Sequence, residues 1–294
     1  MADRHPTRQL VVVLARCTDL RAEVDPLTGA ISRDPRTTAF SASDAAAIEH
    51  GLRLATAWGA RTLVLTAGGA ECDGPLREVL ALGAEVRRVP TRGSYLDELA
   101  ADEGGLAKAL VAAIDGRPDL VLCADRSADR GTGALPAFVA HELGVVQAPG
   151  LVRLELDGEQ LIGERRLDYG RRERMRIPLP AVCSVEAAGV RLRRASLPAS
   201  LAAARAAVPV ADEAVAGPAV RVLGARAARP RPRHVAGPTG SSRERLLALT
   251  GALLSHDPPT VVGPVGPVEA ADALLEFLAR NGYLSEARTG WTAQ

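Results

Sequence analysis

The stretch Asp119-Leu-Val-Leu-Cys-Ala-Asp-Arg-Ser-Ala-Asp-Arg-Gly-Thr-Gly133 decides the fold class of this chain. It predicts a buried strand, Leu120 to Ala124, that opens into a loop of small residues and then an amphipathic helix over 133–143. In an open α/β sheet, ligands bind where such loops leave the strands, because backbone N–H groups and a helix N-terminus attract anions. The stretch therefore predicts a phosphate site, although similar Gly- and Asp-rich turns often bind nothing.

A second stretch, Thr62 to Ala70, repeats this pattern with an apolar strand, a Gly-containing turn and a helix over 74–82. Strands are also predicted at 10–15 and 85–89, and helices at 44–58 and 96–114, around an irregular polar segment at 19–40. Strands that alternate with helices form right-handed βαβ units. The predicted fold class is therefore α/β, with a parallel, Rossmann-like sheet whose two loops could clasp a mononucleotide.

The pattern changes after Gly150. Residues 151–156 alternate apolar and polar side chains, Asp157-Gly158 predicts a hairpin turn, and further strands run from Gln160 to Ser184, so we expect a β-ribbon extension. Its arginines are interleaved with acidic residues, which favours a solvated, paired face over a phosphate site.

The C-terminal part differs in composition from the rest. Residues 187–239 carry few helix or strand signals, 226–238 form a basic Pro-rich linker, and amphipathic helices are predicted at 242–254 and 268–281. We expect an α/β domain over 1–205 and an extended arm with two helices over 206–294 that embraces another subunit.

Composition excludes several classes of function. A net charge of +1 and 3% aromatic residues argue against nucleic-acid binding. No apolar run approaches the roughly 20 residues of a spanning helix, so we expect no membrane insertion. The four cysteines lack Cys-x-x-Cys spacing, which indicates buried free thiols and a cytoplasmic location.

Catalytic and metal-binding patterns are missing from the sequence. None of the five histidines has metal-ligand spacing with another His or Cys, and no nucleophile elbow, Gly-Lys-Ser/Thr phosphate loop or Gly-x-Gly-x-x-Gly fingerprint occurs. We therefore expect no catalytic residue, no metal site, and a non-catalytic subunit whose chemistry belongs to a cofactor.

Several blocks together resemble one family, the beta subunit of electron transfer flavoprotein. They are Arg16-Cys-Thr-Asp19 after the first strand, the helix Ser41-Ala-Ser-Asp-Ala-Ala-Ala-Ile-Glu-His-Gly-Leu-Arg-Leu54, residues 62–84, residues 120–144, and Leu179-Pro-Ala-Val-Cys-Ser184 through Ser196-Leu-Pro198. The resemblance covers about residues 10–205, and the order of the blocks is more specific than any one block.

This resemblance implies a heterodimer with an alpha subunit that holds most of the FAD, while this chain binds a structural AMP. Electrons would come from a dehydrogenase donor and pass to a downstream flavoprotein or quinone-linked acceptor. The positions that match the family's nucleotide contacts are Val13, Ser41, Ala67, Ser127, Ala128, Asp129, Thr132 and Gly133.

The resemblance also assigns a docking residue. Leu197 matches the leucine that anchors partner dehydrogenases in this family, although the lysine-rich run that normally follows is replaced by Ala199-Ser-Leu-Ala-Ala-Ala-Arg205. The 125–133 loop, the basic linker and the last helix look most like the mycofactocin-associated branch.

Two other classes remain open from the sequence. A stand-alone adenine-nucleotide hydrolase shares this type of sheet, but it normally carries a Ser-Gly-Gly-x-Asp-Ser loop where this chain has Arg16-Cys-Thr-Asp19. A stress-type nucleotide-binding sensor normally carries a Gly/Ser phosphate loop, which is not evident in this sequence, and it would not need the long arm.

Overall fold

The computed structural model describes residues 10–32, 34–91, 102–212, 237–250 and 261–283. The chain divides into two compact units, Met1–Ala228 and Arg229–Gln294. The predicted boundary at 205/206 stays a prediction. Residues just beyond it lie on the sheet domain, since Arg88 and Val210 form a parallel bridge.

The first unit contains all the strands and five of the helices of the described residues. The strands are β1 (Leu10–Leu14), β2 (Cys17–Asp19), β3 (Glu23–Val24), β4 (Ile31–Ser32), β5 (Thr38–Phe40), β6 (Arg61–Ala67), β7 (Glu85–Val89), β8 (Leu120–Ala124), β9 (Val146–Asp157), β10 (Gln160–Arg166), β11 (Arg172–Ile177) and β12 (Ala181–Val185). The helices are α1 (Ala42–Trp58), α2 (Asp73–Leu80), α3 (Glu103–Ala112), α4 (Leu135–Leu143) and α5 (Leu197–Ala204).

Eight strands form one sheet in the order β11-β10-β9-β12-β8-β1-β6-β7. The six from β9 to β7 are parallel to their neighbours, and β10 and β11 extend the sheet as an antiparallel ribbon. This arrangement confirms the predicted fold class. The chain winds from β1 towards β6 and β7, and then returns to β8 on the other side of β1, so the strand order reverses between β1 and β8.

Both faces of the sheet are buried, and the central strands β1 and β8 are apolar at every position. In β1, Val11 and Val13 pack with α1, whereas Leu10, Val12 and Leu14 pack with α3 and α4. The α1 helix lies close to the sheet, since a Cβ atom at Gly51 would stand 2.6 Å from Val13 Cγ2. Continuous apolar strands covered on both sides are typical of parallel sheets.

The structure departs from the sequence predictions in three places. The segment 19–40, predicted as irregular, contains two small antiparallel pairs, β2–β5 and β3–β4. β9 begins at Val146 rather than 151, because its first part pairs parallel with β12. The sequence analysis also missed α5, whose cap Ser196 accepts a hydrogen bond from Ala199 N and whose second residue is Pro198, a common helix start.

Several arginines of the ribbon are paired with acidic residues, as predicted. Arg165 contacts Glu173 at 2.5 Å and Arg172 contacts Glu164 at 2.7 Å across the β10–β11 pair. Arg166 pairs with Glu186 beyond the ribbon. These exposed ion pairs stabilise the ribbon by little each, and they leave no surplus of positive charge among these three arginines.

The second unit contains two described helices, α6 (Ser242–Leu249) and α7 (Pro267–Arg280). A capping box of Ser241 and Glu244 starts α6. Neither helix has a buried residue within the described part of the chain. Most of the predicted linker 226–238, the end of the predicted helix 242–254 and the start of the predicted helix 96–114 lie outside the described residues.

Candidate functional site

A cavity opens at the carboxyl edge of the sheet, where the strand order reverses between β1 and β8. Its volume is about 60 Å³, below the usual range of ligand pockets, so a nucleotide-sized ligand would also occupy the open mouth. Open α/β sheets bind ligands at such a point. The lining residues are Leu14, Ala15, Arg16, Asp44, Ala67, Thr91, Glu103, Leu106, Leu110, Cys123, Ala124, Arg126, Ser127, Thr132, Gly133, Leu135 and Pro136.

The loop 125–133 forms one wall and folds back on itself. Ser127 N donates to Thr132 O at 2.8 Å, and Gly131 N donates to Ser127 O at 2.8 Å. Gly131 has a φ of +68°, which favours glycine. A Cβ atom at Gly133 would lie 2.5 Å from the Asp125 carbonyl oxygen, so a side chain there requires the loop to shift.

Arg16 connects the end of β1 to this loop. Its backbone N–H donates to Asp44 Oδ1 at 2.9 Å, and its guanidinium contacts Asp129 Oδ2 at 2.7 Å. The guanidinium therefore stands over the carboxyl end of β1 and is oriented by a residue of the loop. A cation in this position makes the cavity more attractive to an anion.

Asp44 lies in the first turn of α1 and is only 2% exposed. Burial raises the pKa of this carboxyl to about 6, although hydrogen bonds from Ser41 and Arg16 and the charge of Arg16 lower it in part. Ser41 caps α1, donating from its hydroxyl to Asp44 Oδ2 at 2.5 Å and accepting from Asp44 N. Both carboxylate oxygens of Asp44 are thus bonded to protein donors.

Glu103, the first residue of α3, is the second carboxylate on the cavity wall. Its Oε1 accepts a hydrogen bond from the Thr132 hydroxyl, which ties α3 to the loop 125–133. Its Oε2 is buried and has no hydrogen-bond partner within the described residues.

The structure brings together half of the nucleotide contacts expected from the sequence. Ala67, Ser127, Thr132 and Gly133 line the cavity. Three others lie next to it: Ser41 and Asp129 bond to the lining residues Asp44 and Arg16, and Ala128 follows Ser127 in the exposed part of the loop. Val13 lies within the core against α1 and does not line the cavity.

The sequence analysis missed the charged lining residues and the leucines of α3. Arg16 and Asp44 carried a signal, since the first follows a strand and the second stands three residues after a cap serine. Glu103, Leu106 and Leu110 carried none that pointed to this cavity, because only the packing of α3 on α4 brings them there.

Leu197 lies outside the cavity, at the first position of α5, and its side chain is 71% exposed. Leu201 follows one turn later and is 60% exposed. Exposed leucines four residues apart on a helix form a small apolar stripe.

The titratable side chains of His50 and of the four cysteines are buried in the protein interior. Burial and the neighbouring Arg53 lower the pKa of His50 to about 4, so the imidazole is neutral at neutral pH. The four cysteines are buried free thiols, as predicted. In the described part of the chain, no group of His, Cys, Asp or Glu side chains could hold a metal ion, and no helix is sufficiently long and apolar to cross a bilayer.

The comparisons with known proteins all indicate the same family. The profile of the electron transfer flavoprotein domain matches residues 28–216, more than half of the chain. The electron transfer flavoprotein subunit beta of Thermoanaerobacterium thermosaccharolyticum is 28% identical over 55% of this chain and 62% of its own length. The subunits of the same name from Syntrophomonas wolfei (28% identical, over 73% of this chain and 84% of the relative) and Mycobacterium bovis (33%, over 42% and 45%) are also similar.

The chain thus spans less than two thirds of the first and third of these relatives. The parallel sheet, the cavity at the reversal of strand order and the profile match are consistent with one another. This chain belongs to the electron transfer flavoprotein family, as a member of its beta-subunit group.

Proposed function

We propose that this chain is the nucleotide-holding, non-catalytic subunit of a heterodimeric electron carrier. The observation that carries the proposal is the cavity between β1 and β8 in a chain of the electron transfer flavoprotein family. Its partner is an alpha subunit that holds most of the FAD, and FAD supplies the electron-carrying chemistry when bound. A dehydrogenase donates the electrons and a downstream flavoprotein or quinone-linked protein accepts them.

The residues of the cavity fit AMP in their chemistry. Arg16 and Arg126 supply guanidinium donors, each also paired with an aspartate of the loop. Ser127 and Thr132 supply hydroxyl groups, and Gly133 permits close approach of a phosphate to the backbone. Leu106 and the other apolar lining residues give a surface for an adenine ring. The proposed role of this chain is to bind and orient the nucleotide, which in turn stabilises the edge of the sheet.

Other functional parts lie elsewhere on the chain. Leu197 is the proposed anchor for the donor dehydrogenase, and its exposure on α5 supports that role. The arm 206–294 is proposed to embrace the alpha subunit, and the lack of buried residues in α6 and α7 supports an external partner. A cytoplasmic location and membership of the mycofactocin-associated branch stay predictions.

Co-expression with an alpha-type subunit tests the proposal. We expect a yellow heterodimer that contains FAD, and denaturation should release about one AMP per complex in addition. A colourless monomer that turns over ATP by itself would contradict the proposal and favour the hydrolase.

A loop variant locates the AMP. Gly133→Val places a branched side chain against the Asp125 carbonyl oxygen and should lower the AMP content without lowering the FAD content. Gly74→Val is the matched control, because Gly74 has an ordinary φ and open space around its Cβ position. Equal AMP content in both variants and the wild type would reject the loop as the phosphate site.

A further inference from the structure

We infer that Glu103 is a specificity-determining residue of the cavity, which selects a ribonucleotide by accepting a hydrogen bond from a sugar hydroxyl. This inference rests on the proposed nucleotide site. Three observations support it: Glu103 has a buried oxygen without a donor among the described residues, it starts α3, and it contacts the loop 125–133.

The first observation concerns hydrogen bonding. Two carboxylates line the cavity among the described residues, Asp44 and Glu103. Asp44 has a protein donor on each oxygen. Glu103 has a donor only on Oε1, and its buried Oε2 has none from the part of the chain that the structure describes. A buried carboxylate oxygen without a donor destabilises a protein, so a donor from a ligand would satisfy it.

The local structure fixes Glu103 in this position. Asp102 caps α3 by accepting from Gly105 N at 2.9 Å. Gly104 lies against α4, since a Cβ atom there would be 3.6 Å from the Phe138 ring. The start of α3 is therefore held beside α4 and the loop that precedes it.

The second observation is the order of residues along α3. Glu103, Leu106 and Leu110 all line the cavity and lie on one face of the helix, at positions i, i+3 and i+7. The wall that α3 presents thus changes from a carboxylate at its first residue to leucine side chains further along.

The third observation indicates where the phosphate of a bound nucleotide would lie. Thr132, the partner of Glu103, stands beside Gly133 in the loop proposed to hold the phosphate. A nucleotide bound from this loop along α3 would meet the loop with its phosphate, Glu103 with its sugar and the leucines with its base. This is the covalent order of a nucleotide.

The charge of Glu103 agrees with this orientation. A carboxylate repels a phosphate, so the phosphate must lie nearer to Arg16 and Arg126 than to Glu103. A sugar hydroxyl is neutral and can donate to a carboxylate oxygen. A turn about the broad last torsion of glutamate moves both oxygens, so the Thr132 hydroxyl would follow Oε1 as Oε2 turns towards the sugar. An acidic side chain that binds a ribose hydroxyl is a recurrent device of dinucleotide sites in α/β sheets.

A panel of nucleotides tests the inference on the full chain in complex with its alpha subunit, after bound nucleotide has been removed by dialysis. Dissociation constants are measured for AMP, 2′-deoxy-AMP, 3′-deoxy-AMP and inosine monophosphate. We expect one of the two deoxy nucleotides to bind about 10- to 100-fold more weakly than AMP, because a hydrogen bond to a charged group is lost. Inosine monophosphate lacks the adenine amino group but keeps both hydroxyls, so it should not show this loss.

The variant Glu103→Gln should reduce the discrimination between AMP and that deoxy nucleotide to less than about threefold. Glu142→Gln, an exposed residue of α4, is the control and should keep the wild-type ratio. Equal binding of AMP and both deoxy nucleotides by the wild type would overturn the inference while leaving the nucleotide site intact. A loss only with inosine monophosphate would assign the oxygen to the base and also overturn it. A complex that binds none of the four overturns the inference and the proposed nucleotide site together.

Discussion

The buried carboxyl of Asp44 gives a prediction with a defined sign and magnitude. Its pKa in the folded protein is about 6, against an ordinary value of 3.8, and burial is the main cause. A raised carboxyl pKa means that the folded state disfavours the ionised form. The folding penalty is therefore absent at pH values below about 4, grows between pH 4 and 6, and is complete above pH 6. A rise of roughly two pKa units corresponds to about 3 kcal/mol.

Asp44→Asn should remove this penalty. Asparagine is nearly isosteric, and its amide can accept from Arg16 N and donate to the Ser41 hydroxyl, so both hydrogen bonds persist with the second reversed. The free energy of unfolding of the variant relative to the wild type should rise by about 3 kcal/mol between pH 4 and pH 6 and then remain level. Urea denaturation followed by circular dichroism at pH 4.0, 5.0, 6.0 and 7.5, at fixed ionic strength, measures this difference.

Asp115→Asn is the control with the opposite sign. The Arg87 guanidinium lowers the pKa of Asp115, so this substitution should destabilise the protein at pH 7, and the difference from wild type should vanish in acid. A difference for Asp44→Asn that stays constant or falls between pH 4 and 6 would refute the argument from burial.

Two further predictions address docking and the core. Leu197→Ala should change the free energy of unfolding by less than about 0.5 kcal/mol, because the side chain is 71% exposed. The same variant should slow flavin reduction by the dehydrogenase by about one to two decades at low donor concentration. Leu27→Ala, 89% exposed, is its control, and a chemical reductant should reduce all three proteins equally. Glu49→Ala should lower the free energy of unfolding by about 2 kcal/mol, because buried Glu49 accepts from the Arg193 backbone at 3.1 Å and from its guanidinium at 2.9 Å. An unchanged denaturation midpoint would show that this contact does not hold the segment around Arg193 on α1.

The architecture could be predicted from the sequence because its signals are local. Apolar strands such as 120–124 and 62–66, followed by Gly-containing turns and amphipathic helices, specify βαβ units regardless of distant residues. The alternating residues after Gly150 specify the ribbon in the same way. The start of β9 could not be predicted, because residues 146–150 become a strand only through pairing with β12.

The site could be predicted where it lies at the ends of predicted strands, at Ala67 and in the loop 125–133. Ser127, Thr132 and Gly133 belong to one strand-loop-helix unit, so the pattern that predicts the loop also identifies them. Glu103 comes from a helix 29 residues away from its partner Thr132, and its position depends on how α3 packs on α4. Val13 was expected at the site but does not line the cavity. It stands one residue before the end of β1, and because side chains alternate across a sheet, its side chain points into the core.

The surroundings of Arg16 distinguish the electron-carrier proposal from an ATP-dependent hydrolase. A triphosphate bound at the end of the first strand needs backbone N–H groups that point at its oxygens. Here Arg16 N already donates to Asp44 at 2.9 Å, and that carboxylate lines the same cavity. A second and third phosphate placed over β1 would therefore find the Arg16 N–H already used and would be repelled by the Asp44 carboxylate. A single phosphate at the loop 125–133 avoids both effects. We expect AMP to bind more tightly than ATP in an equilibrium titration, and the reverse order would contradict this interpretation of the cavity.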